Sequence, residues 1–255
     1  MHTWCSESDL RLVPTGEFWE ARIMHLEAID LHIDEEFMAA LALKVMSNYE
    51  SVNEDDETLF LPETVVTTAD RTKAFYDPLF RVDGTYKPEF VTEASETLGM
   101  WIEQAFGEVS FVKRGDPHNS DYGFDGLSIV ARDEQYLRIV QVKATSSNLY
   151  GRCREAATKF GGMHRGTYAA ALKAKLESMR HDDRVPDDID LDEIFLRRRY
   201  RVIAVHEEER EGVTLLSNFA DEVPGDAAVR SLRLVRVVWL AFWDTLAGKV
   251  YEQLR

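Results

Sequence analysis

A glutamine and a lysine stand two residues apart in the otherwise apolar stretch Ile139–Ala144. In a β-strand alternate side chains project to opposite faces, so Gln141 and Lys143 would share one face while Val140 and Val142 pack on the other. A lysine among apolar neighbours costs free energy unless its ammonium has an anionic partner, such as a phosphate or a metal-site carboxylate. The alternative is a lysine that protects an edge strand, but the flanking valines favour a central strand. The spacing therefore indicates a polar site on one face of a strand.

Asp125 precedes this stretch, at a point where a turn enters a strand. Its neighbours Gly123 and Gly126 lack side chains and so leave room for a phosphate or a metal ion to approach. A β-hairpin with strands at Leu127–Arg132 and Tyr136–Ala144 would place Asp125 beside the face that carries the glutamine and the lysine. Taken alone, Asp125 fits an aspartate that ends a loop in an Asx turn. The two polar residues downstream favour a functional site instead.

The chemistry that suits these residue types is phosphodiester hydrolysis. Mg²⁺ is a hard cation that prefers oxygen ligands and keeps several waters, so one or two carboxylates, a backbone carbonyl and phosphate oxygens suffice to bind it. The metal lowers the pKa of its bound water and offsets the phosphate charge, while Lys143 orients the nucleophile or stabilises the developing anion. The sequence thus predicts a magnesium-dependent site, in which Mn²⁺ can replace Mg²⁺.

Residue spacing also predicts the elements that would position these side chains. Helices are expected at about residues 34–49, 88–106 and 148–180, the last one broken at Gly161-Gly162, with a terminal helix at Leu246–Leu254. Strands are expected at Val109–Lys113, Leu127–Arg132, Tyr136–Ala144, Tyr200–His206 and Leu232–Phe242, and Asp133-Glu134 would connect the two strands of the hairpin. From residue 88 onward the order is helix, three strands, helix, strand.

Residues 88–206 resemble the restriction-endonuclease-like nuclease superfamily, which is known by its PD-(D/E)xK motif. The resemblance rests on the order of elements and on the aspartate, glutamine and lysine described above. It implies an α/β core of helix, three-strand meander, helix and strand, in which Asp125 is the metal-binding aspartate of the second strand and Lys143 the motif lysine. It also implies a metal-binding carboxylate on the first helix, for which Glu96 is the best match and Glu103 the second.

Gln141 departs from that motif, where this position is Asp or Glu. The variant resembles the QxK branch found among modification-dependent restriction enzymes, and it implies that Gln141 is an auxiliary metal ligand beside Asp125 and Glu96. An amide oxygen offers the metal a dipole without a charge, so metal affinity should fall unless Glu96 or Asp121 compensates. Glu96 itself also fits an ordinary glutamate near the start of a helix. A catalytically inactive nuclease fold, kept as an assembly subunit, is therefore an alternative function.

The segment after the motif carries a second resemblance. In the stretch from Lys143 to Ser147, in the helical stretch Tyr150–Ala156 and in size, the chain resembles the HamA nucleases of the Hachiman antiphage defence system. Those nucleases act with a helicase, HamB. The resemblance implies that this chain degrades DNA as the effector of a complex with a HamB-like helicase.

The charge of the chain opposes binding to nucleic-acid phosphates, since 46 Asp and Glu against 30 Lys and Arg give a net charge of -16. Residues 1–100 carry a net -14 and residues 101–255 only -2. Proline and glycine near residues 80–88 indicate a boundary between an acidic N-terminal α+β segment at 1–85 and a nuclease domain at 86–255. The acidic segment is a solvated surface, a docking segment for a basic partner, or the mark of a DNA-mimicking inhibitor.

The best nucleic-acid face in the sequence follows the polar site. Arg152, Arg154 and Lys159 begin a run of eight Lys and Arg within residues 152–184. Such a run is expected where a protein contacts DNA phosphates. A solvated helix with local ion pairs explains the run equally well.

Segments that would place the protein in a membrane are not expected. No stretch approaches the roughly 20 apolar residues that a membrane helix needs, and the first residues lack the layout of a signal peptide. Cys5 and Cys153 lie far apart and outside any metal-binding spacing, so neither a disulfide nor a zinc site is expected. The sequence therefore predicts a cytoplasmic protein.

Overall fold

A seven-stranded mixed β-sheet forms the middle layer of the protein, and helices pack on both of its faces. The computed structural model describes residues 10–14, 25–31, 33–54, 78–105, 109–114, 124–130, 135–164, 170, 172–174, 176–177, 188–207 and 229–253. The fold class is α/β, as the sequence predicts.

The element bounds follow the predicted order closely. The strands are β1 (Leu10–Pro14), β2 (His25–Leu31), β3 (Val109–Arg114), β4 (Gly126–Val130), β5 (Tyr136–Thr145), β6 (Arg199–His206) and β7 (Val229–Arg236). The helices are α1 (Glu35–Glu54), α2 (Pro88–Ala105), α3 (Leu149–His164), α4 (Leu191–Leu196) and α5 (Trp239–Gln253). From α2 to β6, the elements with described bounds are a helix, three strands, the helices α3 and α4, and a strand, and residues 170, 172–174 and 176–177 between α3 and α4 are also helical.

The strand order across the sheet is β1-β2-β7-β6-β5-β4-β3. Strands β2, β7, β6 and β5 run parallel to one another, and β3, β4 and β5 form an antiparallel meander. Strand β1 is antiparallel to β2 at the other end. Strand β6 is buried along nearly its whole length because helices cover the sheet on both sides. The predicted site strand, β5, lies between the antiparallel and the parallel halves of the sheet.

Alternation along the strands gives the sheet two apolar faces. The face called here the α3 face carries Leu127, Ile139 and Val202, and it packs against helices α3 and α4. The opposite face, called the α2 face, carries Val140 and Val142 and packs against helices α1, α2 and α5. Each residue of β5 therefore belongs to one face or the other according to its position in the alternation.

Helix α2 lies directly against the site strand. A Cβ atom placed on Gly99 would come within 2.6 Å of a methyl carbon of Val142, closer than real Cβ contacts allow. The apolar side of the helix, with Ala94, Leu98 and Ile102, is buried against the α2 face. Glycine at position 99 is thus what permits the helix and the strand to approach this closely.

The predicted break at Gly161-Gly162 is wrong. Helix α3 continues through both glycines and ends at His164. Its buried residues Cys153, Ala156 and Phe160 follow helical spacing and pack on the α3 face. This packing outweighs the intrinsic cost of about 1 kcal/mol that each glycine brings to a helix.

The predicted strand Leu232–Phe242 is wrong in its second half. Strand β7 ends at Arg236, and helix α5 begins at Trp239. Phe242, Leu246 and Val250 recur every four residues and are buried on the α2 face. A continuous apolar run does not distinguish a buried strand from the first turn of a buried helix.

The acidic segment expected at residues 1–85 contributes β1, β2 and α1 to this architecture. Strand β2 pairs with β7 from His25 opposite Ser231 to Asp30 opposite Arg236. On α1, the ring of Phe37 stacks on Trp101 of α2 at a centroid distance of 5.1 Å. The described part of the acidic segment therefore shares a sheet and a core with the rest. Its role in docking a partner stays a prediction.

Some predicted features lie outside the described residues. They include the hairpin connection Asp133-Glu134, the loop residues Asp121 and Gly123, and parts of the helix predicted up to residue 180. Among the helices that the structure does describe, none combines the length and the apolarity required to cross a membrane.

Candidate functional site

Asp125 is attached to strand β5 by two hydrogen bonds. Its backbone N–H donates to the carbonyl oxygen of Val140 at 3.0 Å. Its Oδ2 atom accepts a hydrogen bond from the backbone N–H of Val142 at 2.6 Å. The Asp125 carboxylate thus accepts a backbone N–H of β5 at the point where β4 begins. It lies against β5 beside Val142, the residue between Gln141 and Lys143.

Gln141 and Lys143 share the α3 face, as their spacing predicts. The alternation of β5 places Val140 and Val142 on the α2 face and the two polar residues on the other. Gln141 is completely buried, and the Lys143 side chain is 13% exposed. The structure therefore brings Asp125, Gln141 and Lys143 together around one short segment of β5.

Lys143 forms an ion pair with a carboxylate from the next helix. Its Nζ atom lies 3.5 Å from Oε1 of Glu155, on helix α3. The other oxygen of Glu155, Oε2, accepts a hydrogen bond from Nη1 of Arg152 at 3.1 Å. Partial burial acts to raise the pKa of Glu155, but Lys143, Arg152 and Lys159 together hold that pKa below its ordinary value. Glu155 is therefore ionised at neutral pH, and it joins the site strand to the basic side of the helix.

The start of helix α3 is fixed by hydroxyl and amide side chains. The Thr145 Oγ1 atom accepts hydrogen bonds from the backbone N–H groups of Ser147 and Asn148, at 3.3 and 3.0 Å. The Asn148 Oδ1 atom accepts another from the backbone N–H of Gly151 at 3.0 Å. The bond from Gly151 satisfies an N–H group that the first turn of a helix leaves without an intrahelical partner, and the two bonds to Thr145 hold the turn that leads into the helix. They set where α3 leaves the sheet, and so where Glu155 meets Lys143.

Glu96, the best-matching helix carboxylate, lies on α2 and so on the other side of the sheet. It stands one turn before Gly99, the residue that packs against Val142, and it is partly exposed. The direction of α2 therefore carries Glu96 toward the carboxyl end of β5. The described structure does not place Glu96 on the α3 face with Gln141 and Lys143.

Glu103, the second match, is part of a buried ion network on the α2 face. Its carboxylate accepts hydrogen bonds from Ser128 at 3.0 Å, from Arg201 at 2.8 Å and from Arg233 at 3.4 Å, and it also pairs with Arg138. Burial acts to raise its pKa, but the three arginines outweigh burial and hold the pKa well below the ordinary value of a glutamate. These contacts give Glu103 a structural role in the core.

Whether this site can bind a metal ion depends on a small number of oxygen donors. Within the part of the chain that the structure describes, no group of three or more His, Cys, Asp or Glu side chains is placed to hold a metal. Mg²⁺ keeps several waters and needs only one or two carboxylates from the protein. The carboxylate of Asp125 and the amide oxygen of Gln141 are both of the oxygen type that Mg²⁺ prefers. Asp125 and Gln141 are therefore the described side chains that could hold Mg²⁺ or Mn²⁺ together with backbone carbonyls and substrate oxygens, and metal binding stays a prediction.

The predicted nucleic-acid contacts all lie on the exposed side of α3. Arg152, Arg154 and Lys159 are solvent-exposed, and Arg152 is also the partner of Glu155. Because Glu155 also pairs with Lys143, the same helix carries both the basic side chains and a link to the site strand. Contact of these side chains with DNA stays a prediction.

His206 and Arg236 are two residues near the site that the sequence pattern did not single out. Strand pairing places Thr145 opposite His206 and His206 opposite Arg236, at the carboxyl ends of β5, β6 and β7. By alternation from Ala204 and Leu234 they belong to the α3 face, as Lys143 does. The carboxyl ends of neighbouring parallel strands are the usual place for ligands in α/β sheets. The sequence signal for His206 was its position at the predicted end of β6. Arg236 was missed because the predicted strand continued to Phe242.

Cys153 also lies near Lys143 but is not suited to be a nucleophile. Burial raises the pKa of its thiol to about 12, although the charge of Lys143 acts in the opposite direction. The thiolate is the reactive form of cysteine. At neutral pH Cys153 is therefore an apolar residue of the core.

Comparison with known proteins adds no family assignment: no protein-family model matches the chain, and no curated protein matches it.

Proposed function

We propose that this chain is a metal-dependent nuclease that hydrolyses DNA phosphodiester bonds, and that it is the effector subunit of an antiphage complex with a HamB-like helicase. The observation that carries the proposal is the attachment of the Asp125 carboxylate to Val142, between Gln141 and Lys143. A carboxylate, an amide oxygen and an ammonium are thereby gathered on one short segment of a central strand. The two oxygen groups can serve as metal ligands and the ammonium can stabilise phosphate charge, which are tasks in metal-assisted attack on a phosphodiester.

The order of elements supports the same proposal. Helix α2, the meander β3-β4-β5, helix α3 and strand β6 follow the sequence of a restriction-endonuclease-like core. Asp125 immediately precedes the second strand of the meander, and Gln141 and Lys143 lie on the third. These are the positions at which that superfamily carries its motif.

Each residue has a distinct task in the proposed reaction. Asp125 and Gln141 would hold the metal, with Glu96 as a further candidate ligand, and Mg²⁺ or Mn²⁺ would supply an activated water and neutralise phosphate charge. Lys143 donates to a phosphate oxygen and stabilises the negative charge that develops during attack. Arg152, Arg154 and Lys159 bind the DNA backbone next to the scissile phosphate.

The decisive experiment compares Asp125→Ala and Lys143→Ala with the unaltered protein in a plasmid-nicking assay with Mg²⁺ or Mn²⁺. Each substitution is expected to lower the cleavage rate by about 100-fold or more, because Asp125→Ala removes a ligand of the metal and Lys143→Ala removes the positive charge beside the reacting phosphate. Lys249→Ala, which removes an exposed lysine from α5, is the control and should cleave normally. Folding is checked by circular dichroism. Cleavage at an undiminished rate by either site variant would overturn the assignment.

A catalytically inactive assembly subunit is the second candidate function. It is favoured by Gln141, a neutral amide at the motif position of an acid. An inactive subunit would show no metal-dependent nicking with or without the helicase. It would still form a stable complex with that helicase, which analytical size-exclusion chromatography detects.

A further inference from the structure

Glu155 bridges two cations with its two carboxylate oxygens. Oε1 faces Lys143 at 3.5 Å, and Oε2 accepts from Arg152 at 3.1 Å. The exposed fraction of the side chains rises from 13% for Lys143 to 43% for Glu155 and 53% for Arg152. The three groups therefore form a line that leads from the site strand to the solvent.

Lys143 and Arg152 are arranged as a site for an anion, and the carboxylate of Glu155 already occupies that site. A carboxylate and a phosphodiester each carry one negative charge shared by two oxygens, and both accept hydrogen bonds from ammonium and guanidinium groups. A DNA phosphate that approached Lys143 from the surface of α3 would meet Arg152 and Glu155 on its way. The phosphate and the Glu155 carboxylate would then compete for the same two cations.

We propose that Glu155 is an internal substitute for the substrate phosphate: it neutralises Lys143 and Arg152 in the free protein and releases them when DNA binds. This inference rests on the proposed function. Glu155 lowers the affinity for DNA because each binding event must first break two ion pairs. It also keeps the ammonium of Lys143 paired while no substrate is present, which a nearly buried charge requires.

The test is the isosteric substitution Glu155→Gln, which removes the charge and keeps the shape. Binding to a fluorescein-labelled DNA duplex is measured by anisotropy in EDTA, over a series of NaCl concentrations. The dissociation constant should fall roughly three- to tenfold, and the plot of log K against log salt should steepen by about one unit, because one more phosphate contact is available. In an Arg152→Gln background the same substitution should gain less, since one of the two cations is then missing.

Glu177→Gln is the matched control. Glu177 is an exposed glutamate that pairs with Lys173 at 4.0 Å, away from Lys143. It changes the net charge of the protein by the same amount, so it measures the general effect of charge on DNA binding. Its effect on the dissociation constant should stay below about twofold.

Three outcomes overturn the inference. One is equal affinity for DNA in the Glu155→Gln and Glu177→Gln proteins, and another is failure of both to bind the duplex at low salt. The third is a loss of cleavage in Glu155→Gln with an unchanged dissociation constant, which would make Glu155 a positioning residue for Lys143. Because binding is measured without metal, tighter binding by Glu155→Gln supports the inference even if the unaltered protein proves unable to cleave DNA, which is the failure of the proposed function.

Discussion

Three arginine side chains converge on the single carboxylate of Glu103, in the core between α2 and the sheet. Arg138, Arg201 and Arg233 come from the neighbouring strands β5, β6 and β7, and Ser128 adds a hydrogen bond from β4. One glutamate thereby ties helix α2 to four strands. Since α2 also packs on the site strand through Gly99, this network holds the helix in register with β5.

Replacement of Glu103 by glutamine should destabilise the protein strongly. The substitution leaves buried guanidinium groups without their shared anion, and removal of one partner from a buried ionic network typically costs about 3–5 kcal/mol. The free energy of unfolding, measured by urea titration at pH 7, should fall by this amount. Glu89→Gln, at an exposed position in the first turn of the same helix, is the control and should change it by about 0.5 kcal/mol or less.

The difference between the two proteins should also depend on pH. The arginines hold the pKa of Glu103 in the folded state below its value in the unfolded chain. The stabilisation is therefore complete above the unfolded pKa, near the ordinary value of 4.5, and it is lost as the pH falls below that value. The urea titration repeated at about pH 3 should show a smaller difference between the unaltered protein and Glu103→Gln. A difference that stays constant with pH would contradict this origin of the stabilisation.

Sequence patterns predicted the polar site on β5 but not the buried ion network around Glu103. The association of Asp125 with the strand that carries Lys143 was predictable, because a hairpin brings residues close in sequence together. Glu96 and Glu103 stand seven residues apart, on the same side of a helix after two turns, and helical periodicity does not tell them apart. Glu103 is distinguished by its contacts with arginines from distant strands. No local sequence pattern predicts that these arginines converge on one carboxylate.

At the scale of elements, helix α2 and strand β5 meet at a contact that admits no side chain at position 99. Gly99→Ala places a methyl group against the β-branched side chain of Val142, so the helix must shift. Although alanine is the better helix former by about 1 kcal/mol, overpacking typically costs about 1–3 kcal/mol. A net loss in the free energy of unfolding is expected, with reduced cleavage, since Val142 carries the N–H that binds Asp125.

Gly248→Ala is the matched control for this substitution. Gly248 lies in the interior of helix α5, and a Cβ atom there would have no atom within 4 Å. The gain in helix propensity is therefore not opposed by a clash, and the substitution should stabilise the protein by about 0.5–1 kcal/mol. Equal effects of the two substitutions in urea unfolding would contradict the close contact between α2 and β5.

Prediction of the elements succeeded where the periodicity was clear and failed where apolar residues were continuous. The helix at 88–106 and the strand at 136–144 agree with α2 and β5 to within a residue. The passage from β7 to α5 was missed because Leu232–Phe242 is apolar at its end in either conformation. The error mattered for function, since it hid Arg236 at the carboxyl end of a parallel strand beside the site.

Across the whole molecule, most of the net negative charge lies in the first 100 residues, which carry -14 of the total -16. We expect the isolated protein to bind DNA weakly, because phosphate neutralisation by basic side chains dominates such binding. Cleavage of linear duplex DNA should therefore decline steeply between about 50 and 200 mM NaCl. Addition of the helicase proposed as partner should restore cleavage at the higher salt concentration. Salt-independent cleavage by the isolated chain would contradict this dependence on a partner.

The predicted division at residue 85 shows what composition can and cannot reveal about the whole molecule. The change in charge is present in the sequence, yet β1 and β2 extend the sheet formed by the rest of the chain, and α1 packs on its α2 face. The net charge of a segment reflects its surface residues, whereas the pairing of its strands depends on residues far away in the sequence. A local reading of residues 1–85 therefore could not find their place in the sheet.

The pairing of β2 with β7 has a consequence for how the protein is made. Residues near His25 pair with residues near Ser231, about 200 positions later, so the ribosome must synthesise β7 before β2 meets its neighbour. Until then β6 presents an open edge, and such edges pair readily with other chains. Completion of the sheet should thus follow the synthesis of β7, and a chain terminated before residue 229 should aggregate instead of folding.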